Sequence, residues 1–372
     1  MIPKGWQDKT LGEICTFLGK GKRKASFGND TGIYKFIPSA LVEKKCDAAD
    51  YSGEYIVLGD GGIANIHYLN EPFSASDHTY ILQKKQDIEM RFVYYSLLSC
   101  IDFIQKGFSG AAIKNVSKKY LTQIPVNIPQ LAEQQRIVAK LDKAFEAIDK
   151  AKAIAETNLK NAKELYESFL NNAFTKNTEE WEEKKLGEVC KITSKLIDPK
   201  LPQNQNLLHV GAANIEQKNG NLVNLMTAKE EKLISNKFIF DNKMVLYSKI
   251  RPYLMKVVRP NFTGLCSADI YPLLPDTKYI TRDYLFYLLL SKPFTDYAIE
   301  GSARAGMPKV NRPHLFAYSC KLPTVYKQQT IVEKLDALQE QTKQLEQIYT
   351  QKIKACDELK QSILNKAFKG EL

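Results

Sequence analysis

Residues 129–149 read PQLAEQQRIVAKLDKAFEAID, and residues 323–343 read PTVYKQQTIVEKLDALQEQTK. Both phrases open on Pro and share QQ, IV and KLD at a constant offset of 194. Each Pro is followed by a stretch free of Pro and Gly, 130–174 and 324–368. In the first, Val138, Leu141, Phe145, Ile148, Ala155, Leu159, Ala162, Tyr166, Phe169 and Ala173 recur in steps of three and four, broken only by Lys152. That spacing is a coiled-coil seam rather than a merely amphipathic face. The second runs Ile331, Leu335, Leu338, Thr342, Leu345, Tyr349, Ile353, Cys356, Leu359, Ile363 and Ala367, less regularly. A Pro just ahead of the first turn is a usual helix start. Helices of this length span about 65 Å and need a partner for their apolar stripe. A dimerising coiled coil is one answer. The repetition argues for the other: the two helices pair antiparallel within the chain, with one variable domain at each end.

The repetition extends beyond the helices. Trp6 to Cys15 reads WQDKTLGEIC and Trp181 to Cys190 reads WEEKKLGEVC, an offset of 175. Gly107 to Pro129 aligns without a gap to Gly301 to Pro323, and LNNAF at 170–174 matches LNKAF at 364–368. The chain is one unit written twice. The change of offset from 175 to 194 makes the second middle section 19 residues longer. After LNKAF only KGEL remains, whereas LNNAF leads on into Trp181, so the two termini are expected to lie close together.

The 372 residues allow two or three domains and carry a net charge of +11. Helix 130–174 is neutral and 324–368 carries +1, which leaves +10 in the variable sections. An excess placed there favours a polyanionic partner, most often nucleic acid. No run is apolar enough to span a bilayer, and MIPKGWQDKTLGE lacks a signal-peptide core. Seven scattered cysteines without a CxxC pair speak against disulfides and zinc and fit a reducing cytoplasm.

The middle sections read as strands and turns. KFIPSALV, YIVLGDGGIANIHYL and HTYILQ are strand candidates in the first; LLHVGAANI, KMVLYSKI and DIYPLLP are candidates in the second. Short helices are expected at RFVYYSLLSCIDFIQ and RDYLFYLLLSKPFTDYAI. The expected class is α+β, twice over. Several loops suit nucleic acid. GKGKRKASFG sets Lys20, Lys22, Arg23 and Lys24 between glycines, without P-loop or GxGxxG spacing. YSKIRPYLMKVVRP interleaves Lys249, Arg251, Lys256 and Arg259 with Tyr253. Its counterpart GDGGIANIHY offers Asn65, His67 and Tyr68, and SDHTY adds His78. The Gly107 loop brings Lys114, Asn115, Ser117, Lys118 and Lys119; the Gly301 loop brings Arg304, Lys309, Asn311, Arg312 and His314. Arg suits guanine and Asn suits adenine, although half of such residues ordinarily contact phosphate or nothing. There is no Walker loop, HExxH or GxSxG motif, and the four histidines lack metal-ligand spacing. The chain reads as a binder. A stand-alone nuclease or methyltransferase with divergent motifs, or a coiled-coil scaffold that binds no DNA, are the other classes considered.

Taken together, the LGEIC and LGEVC openings after Trp, the Gly107 and Gly301 loops leading to Ile-Pro or Leu-Pro, the doubled QQ-IV-KLD phrase and the NAF and KAF helix ends resemble the specificity (S) subunit of type I restriction–modification enzymes. The resemblance covers essentially the whole chain, in the family's order. It implies target-recognition domains at 1–129 and 177–323, a central helix at 130–176 and a distal helix at 324–372. Each domain would read one half of a split double-stranded DNA target in the major groove, and the helices would set the unread gap. The resemblance also implies docking of two methyltransferase subunits, with nuclease–translocase subunits completing the complex. S-adenosylmethionine would belong to the methyltransferase, with no cofactor, metal or catalytic residue in this chain. Glu133, Gln134, Gln135, Gln328 and Gln329 are the expected docking residues. The second copy departs from the family's Glu-Gln by having Lys327-Gln328, which puts its docking contacts in question. The recognition subunit of a fused modification–restriction enzyme is the nearest alternative.

Overall fold

The computed structural model describes residues 3–111, 114–175, 181–302 and 307–372. The chain divides into two compact units, one of residues 1–157 with 349–372 and one of residues 158–348. Each combines a globular part with halves of two long helices, Leu131–Thr175 and Val325–Phe368. In the first unit the start of one helix packs on the end of the other through Ile137, Val138, Leu141, Leu364 and Ala367. In the second, Tyr166 and Leu170 share a core with Val332 and Leu335. The pairing is antiparallel in both. Lys152, the apparent flaw in the seam, holds Asp357 at 2.7 Å. Three seam positions give way. Phe169 is 37% exposed while its neighbour Leu170 is 4% exposed, and Leu345 and Leu359 also face outward. A straight helix drifts against a repeat of 3.5, so a seam read at fixed steps slides off the true stripe near its end.

The globular parts share one plan. In the first unit a four-stranded sheet runs Cys15–Lys20, Thr79–Lys84, Tyr55–Gly59, Ile66–Leu69. In the second the matching order is Cys190–Lys191, Ile270–Pro275, Val245–Ser248, Val257–Val258. A further sheet has three strands in the first unit and five in the second, which takes up part of the longer middle section. The helical runs after these sheets each break in two, Met90–Ser99 with Ile101–Lys106 and Arg282–Leu290 with Lys292–Glu300. In the second unit Pro293 occupies the first turn of the new helix, where its missing N–H does no harm. The opening strand Gln7–Thr10 pairs with Pro125–Ile128, and Glu182–Lys185 pairs with Ser319–Leu322.

The repeated phrases turn out to be the fastenings of this plan. Leu11 and Leu186 of LGE are fully buried, and their N–H groups donate to Ile124 O and Tyr318 O, both at 2.8 Å. Gly107 and Gly301 lie beneath the rings of Tyr120 and His314, which a Cβ would strike. At the helix ends, Phe368 packs on Phe92 (5.2 Å between centroids) and Trp6 (6.5 Å), and Phe174 packs on Tyr284 (5.0 Å). The Trp6–Phe368 contact brings the two terminal segments together, as the repeat leads one to expect.

The QQ-IV-KLD phrase fastens each globular part to its own helix. Gln134 and Gln328 are 3% and 0% exposed. The Gln134 side chain accepts from Glu89 N–H (3.0 Å), which caps the helix Met90–Ser99, and donates to Pro129 O (2.9 Å). Gln328 accepts from Thr281 N–H (2.9 Å), at the cap of Arg282–Leu290, and donates to Tyr279 O (2.7 Å) and Pro323 O (2.9 Å). Asp142 accepts from Tyr95 Oη and pairs with Arg91 at 3.0 Å. Asp336, its counterpart, accepts from Tyr287 Oη and pairs with Arg259. The expectation that Gln134 and Gln328 dock a partner is therefore corrected: their amides are buried and committed inside the chain. Gln135 and Gln329 are exposed, and Glu133, half-buried, binds Arg136 at 2.6 Å.

Removing one partner of a buried hydrogen bond costs roughly 1–3 kcal/mol per orphaned group. Gln328→Ala is therefore expected to lower the unfolding free energy of the full chain, read from denaturant titration, by at least about 1–3 kcal/mol, while Gln329→Ala stays within about 0.5 kcal/mol. Equal effects of the two would refute the assignment. In the seam, Lys152→Glu sets two acids against each other and is expected to cost about 0.5–1 kcal/mol. The double change with Asp357→Lys should restore it in the same unfolding measurement.

Candidate nucleic-acid interface

In the first unit the strand Tyr55–Gly59 leads into Asp60, whose carboxylate is almost wholly buried. Lys20 contacts it, with its ammonium 4.3 Å from the Tyr80 ring centroid, and His78 Nδ1 lies 3.4 Å from Asp60 Oδ1. The Gly107 loop returns to the same place: Gly61 bridges to Asn115, and Gly62 N–H donates to Lys114 O at 2.9 Å. Lys118 lies 5.7 Å from the Phe17 ring, and Ser117 Oγ caps the short helix Lys118–Thr122. Lys20, His78 and the adjacent pair Lys114 and Asn115 thus come from three separate segments to one rim.

Other expected readers of this unit take different roles. Arg23 is gripped by Asp50 through two bonds of 2.8 and 2.7 Å, and that guanidinium holds the Asp50 carboxyl below its ordinary range. Lys22 lies over Tyr51, and Lys24 is exposed. Asn65 is 5% exposed, and its amide donates to Ser39 O and Ile63 O. His67 is tied to Glu43 at 3.0 Å and Tyr68 to Glu54 at 2.8 Å. Tyr68 also lines a hollow with Arg91, Tyr95 and Asp142, on the side of the unit's own helices. Asn65, His67 and Tyr68 are therefore parts of the scaffold rather than of the rim. The edge strand Ile66–Leu69 carries them away from the turn.

In the second unit the strand Val245–Ser248 leads into Lys249. Its ammonium donates to Ala268 O (2.6 Å) and lies 3.2 Å from Asp269. Burial pulls this lysine below its usual range, against the opposing pull of Asp269. Lys309 approaches Asp269 to 3.8 Å, and Ile250 bridges to the Lys309 backbone. Arg251 adopts φ of 51° and donates its N–H to Pro308 O at 2.9 Å. Arg312 lies over Phe238 and Tyr271. Lys249 and Lys309 therefore flank one carboxylate, with Arg251 tied by its backbone to the Lys309 loop and Arg312 over the Tyr271 ring that Lys249 also approaches. Asn311 spends its side-chain oxygen capping the helix Arg312–Ala317, and Lys256 donates to Ala212 O. Tyr253 lines a hollow of about 1010 Å³ beside the unit's helices, with Tyr166, Arg259 and Asp336. Arg304 lies outside the described residues.

Each rim offers cations for phosphates and loop side chains for base edges. Asp60 and Asp269 carry no signal of their own in the sequence, where positive charge marks the nucleic-acid loops. Aligning the two turns by their neighbours, Gly59 with Ser248 and Tyr80 with Tyr271, would have found them. Among the described residues, no group of three His, Cys, Asp or Glu side chains is placed to hold a metal, and no helix is long and apolar enough to cross a membrane.

Comparison with known proteins bears on the whole chain. The type I restriction modification DNA specificity domain matches twice, at residues 3–158 and 178–355. The EcoDI type I restriction enzyme specificity subunit of Escherichia coli is 28% identical over all of this chain and 89% of that protein. The MjaVIII specificity subunit of Methanocaldococcus jannaschii is 21% identical over all of this chain and 94% of its own length. Among solved structures, a chain from work on complex assembly and conformational transition of the type I R-M system superposes with a TM-score of 0.73 at 19% identity, covering both chains fully. The HsdS subunit from Thermoanaerobacter tengcongensis superposes at 0.55 with 20% identity, over all of this chain and 98% of its own. Two matched domains, in the two positions where the sequence repeats itself, leave one conclusion: the chain belongs to the family of type I restriction–modification specificity subunits.

Proposed function

We propose that this chain is the non-catalytic reading subunit of a type I restriction–modification complex, in which each unit's rim reads one half of a bipartite DNA target through the major groove. The observation that carries the reading is a common backbone frame with different side chains on it. Asp60 N–H donates to His78 O and Lys249 N–H donates to Asp269 O, both at 3.0 Å; Val116 N–H donates to Asp60 O and Val310 N–H to Lys249 O, both at 2.9 Å. A frame held by main-chain bonds leaves the rim side chains free to differ, which suits two half-sites of unlike sequence. The cations Lys20, Lys114, Arg251, Lys309 and Arg312 supply phosphate contacts and the positioning that precedes base readout. The long helices fix the unread gap.

The same reading assigns the helices a docking role for methyltransferase subunits, which bring S-adenosylmethionine, with nuclease–translocase subunits joining them. Exposed apolar residues recur on the helices at the repeat offset: Ile154 (61%) with Ile348 (45%), and Leu165 (63%) with Leu359 (49%). The first unit holds Ile154 and Leu359, the second Leu165 and Ile348. Each unit therefore offers one such residue from each helix, a pattern suited to two copies of one partner, with exposed Gln135 and Gln329 as further contacts.

The purified chain is expected to bind DNA without methylating it, and cells that co-express its methyltransferase are expected to carry methylation at a bipartite motif, read by sequencing. Methyl transfer by the chain alone would overturn the proposal. Affinity should fall steeply with salt, and Lys309→Ala should reduce the slope of log K against log salt by about 0.9, the value of one lost phosphate contact. For docking, Ile154→Asp with Leu359→Asp should lower the methyltransferase count per chain from two to one by native mass spectrometry. Adding Leu165→Asp and Ile348→Asp should abolish it.

A further inference from the structure

The two rims close on the same turn with acid and base exchanged between its inner residue and its tip. Ser76 N–H donates to Ile37 O (2.9 Å) and Ser267 N–H to Val210 O (3.0 Å), so the turns Ser76–His78 and Ser267–Asp269 leave their sheets in the same way. In the first unit the inner residue is an acid, Asp60, with its side chain 7% exposed, and the tip is a base, His78, 66% exposed. In the second the inner residue is a base, Lys249, at 11%, and the tip is an acid, Asp269, at 51%. In both, the inner partner fixes the direction of the tip while leaving part of it open.

A half-exposed carboxylate on a rim of cations is a poor phosphate ligand, because it repels the backbone those cations attract. A carboxylate accepts hydrogen bonds only. In the major groove its partner is an exocyclic amino group, and acidic side chains take the cytosine N4 amino group. Lys249 and Lys309 beside it screen the repulsion from neighbouring phosphates. We propose that the turn tip is a specificity-determining position in both half-sites, and that Asp269 reads cytosine by accepting from its N4 amino group. His78, at the matching tip, cannot present a carboxylate and reads a different base. The inference rests on the half-site reading proposed above.

The test is selection of bound sequences from a pool of random duplexes by the full-length chain, with Asp269→Ala and the isosteric Asp269→Asn alongside. The wild-type chain is expected to select two half-sites, one of them containing a cytosine. Asp269→Ala should lose roughly 5- to 150-fold of the preference at that single position, from the 1–3 kcal/mol that a good base contact discriminates. Asp269→Asn should shift it toward adenine, the base that Asn pairs with. The other half-site should stay unchanged in both variants, which also shows that they are folded. If both variants select the wild-type motif at every position, Asp269 only neutralises Lys249 and the inference fails while the half-site reading stands. If the wild-type chain selects no bipartite motif, the half-site reading itself fails.

Discussion

Two buried amides hold this protein's working geometry. Gln134 and Gln328 each bond the start of a long helix to the capping N–H of a helix in the globular part beside it. A carboxamide donates and accepts at once, so one side chain closes both groups, and burial makes an alternative arrangement costly. Asp142 and Asp336 repeat the fastening two turns on, through Tyr95 and Tyr287. Two attachment points along one helix fix an orientation, where a single point would leave a pivot. Under the proposed reading that second constraint matters, because a rotation at the attachment would move the rim away from the DNA groove it is proposed to enter.

The division between what repeats and what varies follows from where the bonds are. The repeated phrases make side-chain bonds and close packing: Leu11 under the sheet, Gly107 beneath Tyr120, Phe368 on Phe92. Any change there breaks a fit. The rims are held by main-chain bonds from Asp60, Val116, Lys249 and Val310, which are indifferent to side-chain identity. Residues at those places can therefore change even the sign of their charge, as Asp60 and Lys249 do, without altering the frame.

The same physics decides what could be read in advance. The repeat, the helices and the α+β class were legible because periodicity and punctuation survive in a one-dimensional string. The roles of polar residues were not. Gln134 and Asn65 look like surface residues by type, yet each is buried and donates its amide N–H groups to backbone carbonyls inside the structure. The strand Gln7–Thr10, written QDKT, carries no hydrophobic alternation, because its partner Pro125–Ile128 supplies most of the buried surface. Asp269 escaped because a search for nucleic-acid contacts follows cations, and an acceptor among cations shows only once the fold has gathered them.

The seam adds a constraint that the sequence states only in pairs. Lys152 faces Asp357 in one unit, and Lys163 faces Glu346 at 4.0 Å in the other. Under the repeat offset Lys152 corresponds to Glu346 and Lys163 to Asp357. Were the first helix to pair antiparallel with a copy of itself, Lys152 would meet Lys163. Were the second to do so, Glu346 would meet Asp357. Both self-pairings set like charges together, and only the pairing of unlike helices matches them. Exposed pairs of this kind contribute little to stability, but specificity depends on the difference between competing arrangements, and here the sign of that difference favours pairing within the chain. A duplicated sequence that kept both helices identical would lack this bias and would be free to assemble from two copies of one half. Splitting the charges between the copies favours one chain that holds two different units, which suits the two unlike half-sites of the proposed reading.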